Sequence, residues 1–203
     1  MLFDKYVVGI TGGIASGKSA FSASLVECGA CVLDADKVSR EIVSQPLVLD
    51  EIKNNIEGVV CDRVLDRGLL RKKIFEEVQT RQTLDNIMHP KIIAQIKQQI
   101  KQSKMNIIFV DAALLVETKM YAWMDSVVLI TAPEPIKIQR IVTRDGVTPE
   151  SAKRTIESQL GDREKLPYAK WVVSNEGDLQ MLKDKARKIF GQVQEHWMDT
   201  RQV

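Results

Sequence analysis

Gly12-Gly13-Ile14-Ala15-Ser16-Gly17-Lys18-Ser19 fits the pattern G-x-x-x-x-G-K-[S/T]. Before it runs Tyr6-Val7-Val8-Gly9-Ile10-Thr11, a short β-branched stretch that predicts a buried strand. After it, residues 20–29 predict a helix with Phe21, Leu25 and Cys28 on one face. Strand, glycine loop and helix, in that order, are the context a phosphate-binding P-loop requires. Glycines let backbone N–H groups converge on one point without Cβ clashes. The helix opens at the same point, so its free N–H groups and positive dipole end face the ligand. Lys18 adds a mobile positive charge for terminal phosphates, and the Ser19 hydroxyl can ligate Mg²⁺.

Composition narrows the classes around this loop. A length of 203 residues suits one sizeable domain with insertions. The apolar share of 44% and charged share of 28% are ordinary for a globular chain. A net charge of +2 gives no bulk electrostatic case for nucleic acid or an anionic membrane, so neither is expected as a partner. No stretch approaches the roughly 18 apolar residues of a membrane-spanning helix. The N-terminus lacks a signal-peptide layout. Cys28 and Cys31 have C-x-x-C spacing, but no second pair completes a zinc site with them or with Cys61. Buried, reduced thiols and a cytoplasmic location are the expectation.

Along the chain, further strands are predicted over residues 31–36, 106–111, 126–131 and 171–175. Helical patterns dominate from 37 to about 103, with Pro90 at a helix start or kink, and 55–67 holds a loop or short hairpin. Residues 134–144 predict a helix. Thr148 and Pro149 open another that runs to about 160. Residues 178–197 carry an apolar stripe of Leu179, Leu182, Ala186, Ile189, Phe190, Val193 and Trp197. Continuous apolar strands alternating with helices imply an α/β fold, a P-loop NTPase architecture whose five-stranded parallel sheet is flanked by helices. The stretch between the second and third strands, about 70 residues, exceeds what one covering helix needs. It reads as a helical substrate-binding insertion over 37–103. The core then comprises about 1–36, 104–133 and 162–203. Residues 134–161, rather polar and bounded by Gly146 and Gly161, suit a helical lid.

In such a sheet, ligands bind beyond the carboxyl ends of the strands. Asp34, Asp36 and Asp111 stand at such ends. Read as one strand, 31–36 puts Asp34 and Asp36 on a shared face. Asp111 closes an apolar strand, where a carboxylate holds Mg²⁺ directly or through water. A kinase acting on a hydroxyl needs a carboxylate to orient it and take its proton. Asp36 is the candidate for that role, with Asp34 supporting it or the metal; alternatively Asp36 caps the following helix. Lys137, Arg140 and Arg144 form a basic row at i, i+3 and i+7. Like charges at that spacing destabilise a helix, and a multiply charged anion would resolve the conflict. The bland alternative is a solvated basic face.

Taken in order, these motifs resemble those of dephospho-CoA kinases. The loop from Thr11 to Ser19 matches, as do Asp34-Ala35-Asp36 with Arg40, and Arg67, Leu70, Arg71, Ile74 and Phe75. So do His89-Pro90, Leu114-Leu115-Val116-Glu117, Gln139 with the arginines after it, Gln159, and Asn175-Glu176-Gly177. The family usually has glycine at the position of Ala15 and proline at that of Ala113. The resemblance implies transfer of the γ-phosphoryl of ATP to the 3′-hydroxyl of dephospho-CoA, giving CoA and ADP. It implies one catalytic domain over 1–203, with ATP and dephospho-CoA as ligands, Mg²⁺ as cofactor, and no obligate protein partner. Catalytic candidates are Asp36, Lys18 and Arg140. ATP-binding candidates are Gly12, Gly13, Ala15, Ser16, Gly17, Lys18, Ser19, Ala20, Arg144 and, near the adenine edge, Asn175. Acceptor-binding candidates are Asp36, Arg40, Arg71, His89, Leu115 and Glu117; His89 alternatively caps a helix, and Glu117 alternatively pairs with Lys119 or a surface arginine. Ser19, Asp34 and Asp111 are the metal candidates.

Rival readings differ in what surrounds the same loop. Another small-molecule kinase would keep the core and change the insertion. A GTPase switch would carry an Asn-Lys-x-Asp motif and an ABC-type ATPase a Leu-Ser-Gly-Gly-Gln-like signature, and neither is present.

Overall fold

The computed structural model describes residues 4–200. In chain order the elements are β1 (Tyr6–Thr11), α1 (Lys18–Glu27), β2 (Cys31–Asp34), α2 (Ala35–Ile42), α3 (Pro46–Asn55), β3 (Val60–Cys61), β4 (Val64–Leu65), α4 (Arg67–Glu76) and α5 (Val78–Gln102). There follow β5 (Ile107–Asp111), β6 (Ser126–Thr131), α6 (Glu134–Asp145), α7 (Pro149–Glu157), α8 (Asp162–Lys165), β7 (Trp171–Ser174) and α9 (Leu179–Asp199). The chain divides into two compact units: residues up to 34 together with those from 103 onward, and Ala35–Gln102.

The first unit is a five-stranded parallel sheet ordered β2-β5-β1-β6-β7. Its central strands are near-continuous runs of Val, Ile and Phe because both faces are covered. Val8, Ile10, Phe109, Val128 and Ile130 pack with Phe21 and Leu25 of α1 and with Leu182, Ala186, Ile189 and Val193 of α9. Asp178 caps α9 by accepting from the Met181 N–H at 2.8 Å. Leu179, expected on the apolar stripe of that helix, is exposed. Thr148 and Pro149 open α7 as the sequence predicts, with the Thr148 hydroxyl accepting from the Ser151 N–H. The helix stops at Glu157, short of 160.

The second unit is helical apart from one hairpin. In β3–β4, Val60 pairs with Leu65 and Cys61 with Val64. The two linking residues, Asp62 and Arg63, both have positive φ (47° and 60°), the conformation of a type I′ turn. Val38, Ile42, Val48, Leu49, Ile52, Leu70, Ile87 and Met88 are buried. Of the two expectations for Pro90, a helix start is not met: it lies inside α5. Pro90 supplies no N–H to the Asn86 carbonyl four residues earlier, and the neighbouring Ile87 carbonyl accepts from the Lys91 ammonium at 3.1 Å. Among the described residues no helix is long and apolar enough to cross a membrane.

Candidate active site

The P-loop joins the end of β1 to the start of α1. Gly17, immediately before the helix, has φ 97°, a left-handed conformation that favours glycine. A Cβ there would collide with the Asn175 carboxamide, and one on Gly12 would come within 2.5 Å of the Ile130 carbonyl oxygen. Ala15 adopts φ 59°, the left-handed region without glycine's freedom. Its place in the loop is where the family usually has glycine. The first N–H groups of α1, including those of Ser19 and Ala20, have no acceptor within the helix and open toward the loop. Ser19 is exposed beside them, while Ser16 is buried.

At the base of the loop, the Lys18 ammonium forms an ion pair with Asp111 Oδ1, and the Ser22 hydroxyl donates to Asp111 Oδ2 at 2.7 Å. Asp111 is buried at the end of β5, so these two partners stabilise its charge where water does not. Asp34 is its in-register neighbour at the end of β2, and it is exposed. Register partners in a parallel sheet project to the same side, so two carboxylates stand side by side at the mouth of the sheet. The expected shared strand face for Asp34 and Asp36 is not formed. β2 ends at Asp34, and Asp36 lies exposed in the first turn of α2. A carboxylate in that turn is favoured by the helix dipole.

The basic row on α6 is not left waiting for an anion. Lys137 pairs with Asp162 at 2.6 Å. Arg140 donates from Nη1 to the carbonyl oxygens of Ala15 (3.1 Å) and Ser16 (3.3 Å), and from Nη2 to that of Asn175 (3.1 Å). Arg144, exposed, pairs with its neighbour Asp145. Hydrogen bonds from the guanidinium hold the Asp145 carboxyl below the usual aspartate range, and the same contact raises Arg144. Protein groups thus offset the like charges of the row, so the spacing by itself does not require an anion.

Asn175 is likewise committed to the loop and does not present its amide nitrogen to a base. Its Nδ2 donates to the Ser16 carbonyl at 2.8 Å, and its own N–H to the Thr131 carbonyl at 2.7 Å. Gln159 Oε1 accepts from the Ile14 N–H at 3.1 Å. The loop is thus held by side chains arriving from α6, the end of α7 and the end of β7.

Two acceptor-binding candidates also serve the protein itself. The Leu115 side chain is fully buried in the core, where a Cβ on Gly9 would meet its Cδ1 at 2.5 Å. Glu117 pairs at 2.9 Å with Lys165, not with Lys119. Lys165 is fully buried and also donates to the Ala113 carbonyl at 3.0 Å, which Thr11 Oγ1 reaches as well (3.1 Å). Ser22, Asp162 and Lys165 are functional neighbours that sequence reasoning missed. Ser22 had a readable signal, since it lies four residues after Lys18 on the same helix face. A buried lysine in a polar segment has none.

In the helical unit, Arg40 of α2 and Arg67 and Arg71 of α4 line a cavity of about 530 Å³. Val43, Leu65, Leu70, Ile74, Leu84 and Met88 give it apolar walls. His89 lies on α5, half-buried, 3.5 Å from Asp85 one turn earlier. It sits in mid-helix and caps nothing.

A parallel sheet of this order, with a P-loop after β1 and an acid at the end of the neighbouring β5, defines a P-loop kinase. The dephospho-CoA kinase family model matches residues 6–181. A dephospho-CoA kinase of Xanthomonas campestris is 36% identical over 189 residues, covering 91% of each chain. Among solved structures, a Thermus thermophilus protein superposes with TM-score 0.82 at 26% identity, over 93% of this chain and 97% of that one. Dephospho-CoA kinase from Campylobacter jejuni gives 0.71 at 26% identity, over 95% and 98%. The chain belongs to the dephospho-CoA kinase family, ATP-binding enzymes of coenzyme A biosynthesis.

Proposed function

We propose that the chain transfers the γ-phosphoryl group of ATP to the 3′-hydroxyl of dephospho-CoA, with the roles divided between its two units. The observation that carries the phosphoryl-donor side is the pairing of Lys18 with Asp111, in register with Asp34, at the mouth of the sheet. Backbone N–H groups between Gly12 and Ala20, other than those of Ile14 and Ser16, cradle the phosphates, and Lys18 exchanges its carboxylate partner for phosphate oxygens. Arg140 and Asn175 are positioning residues that fix the loop carbonyls. Arg144, exposed at the end of α6, is the lid arginine assigned to the ATP phosphates.

The donors at the mouth suit Mg²⁺. Ser19, Asp34 and Asp111 offer only oxygen, and the described residues contain no cluster of three or more acidic, His or Cys side chains. Mg²⁺ characteristically uses one or two carboxylates and completes its shell with substrate phosphates and water. When bound, it neutralises charge on the β- and γ-phosphates.

Asp36 orients the acceptor hydroxyl and takes its proton. The arginine-lined cavity of the helical unit supports an acceptor carrying a diphosphate and a long, partly apolar arm: guanidinium groups suit phosphate oxygens and the apolar walls suit the arm. His89, Leu115 and Glu117 stay assigned to the acceptor. The helices α6 and α7 act as the lid and Ala35–Gln102 as the acceptor unit. Free thiols at Cys28, Cys31 and Cys61 support a cytoplasmic location.

The test is ADP release that requires both dephospho-CoA and Mg²⁺. Turnover with a nucleoside monophosphate and none with dephospho-CoA would overturn the acceptor.

A further inference from the structure

A second lysine–carboxylate pair lies against the P-loop. Lys137 of α6 is as sheltered as Lys18: side-chain exposures are 8% and 12%. Its ammonium lies beside the loop: a Cβ built on Gly13 would stand 3.4 Å from Lys137 Nζ and 3.5 Å from Asp162 Oδ1. The pair is incompletely satisfied. Asp162 Oδ2 accepts from Lys137 at 2.6 Å, while Asp162 Oδ1 is buried with no hydrogen-bond partner. Of the three N–H donors on the ammonium, one is committed to Asp162.

A purely structural bridge would not be built this way. Desolvating two charges cancels most of their attraction, so an apolar pair would tie α6 to α8 at least as well. A bare buried carboxylate oxygen adds further cost. The arrangement makes sense where the partner changes. Lys18 already shows the pattern, with a flexible stem, a carboxylate to rest on, and a glycine loop beside it. Gly13 lacks a side chain, so nothing of its own separates the Lys137 ammonium from the loop. Asp162 supplies the counter-charge that makes a further buried cation tolerable beside the loop.

We propose that Lys137 is a second phosphate-binding lysine, held on Asp162 and transferred to the terminal phosphate when ATP occupies the loop. This deepens the nucleotide-site reading above and rests on it. Asp162 then competes with ATP for the same ammonium, and the two halves of the pair have opposite effects on affinity. A latch predicts the same sign for both.

Calorimetric titration of the full chain with ATP and with ADP separates the two. Lys137→Met is expected to raise the Kd for ATP about tenfold and that for ADP no more than about twofold, the loss of one charge-assisted contact to the terminal phosphate. Lys137→Arg should recover most of the ATP affinity. Asp162→Asn keeps the side-chain shape and should lower the Kd for ATP about threefold. The proposal is overturned if Lys137→Met binds ATP like the wild type, or if Asp162→Asn weakens binding as Lys137→Met does. Should Lys137→Met fail to fold, the sign of the Asp162→Asn effect decides alone. A wild-type chain that does not bind ATP overturns the nucleotide site and this proposal with it; one that binds ATP while the variants break the expected signs overturns only this proposal.

Discussion

The two units treat their polar side chains in opposite ways. Around the P-loop, Asp111, Arg140, Asn175, Glu117 and Lys165 are buried or half-buried and spent on other protein groups, several of them on backbone carbonyls. In the helical unit, Arg67 and Arg71 are exposed at the rim of a cavity with apolar walls. A phosphate loop works by presenting backbone at a fixed geometry, so the polar residues nearby serve to hold that backbone still. An acceptor site works by presenting side chains, so its polar residues face outward. The lesson is that a charged residue close to the chemistry can be further from the substrate, in role, than one on a distant helix.

Substitutions test that contrast in descending order of effect. Lys18→Ala removes the mobile charge of the loop and should lower kcat on the order of a thousandfold with the fold intact, read by steady-state ADP release and a thermal melt. Asp36→Asn should lower kcat about a hundredfold while ATP binding by calorimetry stays within about twofold. Turnover like the wild type would remove Asp36 from the mechanism and leave the helical unit with binding alone. Arg71→Ala should raise the KM for dephospho-CoA about tenfold with kcat nearly unchanged, because it removes binding that ground and transition states share. An equal fall in kcat would erase the distinction between the units. The smallest effect is at Ala15→Gly. Release of the left-handed Cβ clash, offset by the entropy of glycine in the unfolded chain, should raise stability by about 0.5 kcal/mol. A clear loss of stability would show that the Ala15 methyl packs usefully in the loop.

Much of the first unit could be read from the residues. β-branched runs such as Tyr6–Thr11 and Ser126–Thr131 announce strands buried on both faces. The P-loop has fixed spacing, and Thr148-Pro149 and Asp178 carry their own capping chemistry. The boundary at Asp34 was not legible. Asp-Ala-Asp carries no signal that separates a strand end from a helix start, and α2 takes over one residue after Asp34 because tertiary packing of Ala35 and Val38 selects the helix. The role of Arg140 was hidden for a different reason. A guanidinium that binds backbone carbonyls leaves no trace in the identity of its partners, whereas one that binds a carboxylate at i+4 does. Leu115 and Glu117 illustrate the same limit: a motif fixes which residue is present, not what its side chain packs against or pairs with.

The P-loop lies near the start of the chain, yet what holds it is encoded far downstream. Arg140 grips the Ala15 carbonyl across 125 residues, and Asn175 grips that of Ser16 across 159. Its strand, β1, acquires neighbours only when β5 and β6 exist. Synthesis delivers residues from the N-terminus, so the phosphate loop is made before the residues that hold it. A nascent chain that ends before Asn175 carries the whole glycine motif without the clamp that gives it geometry. The geometry of the nucleotide loop is thus written as much in the second half of the sequence as in the glycine motif itself.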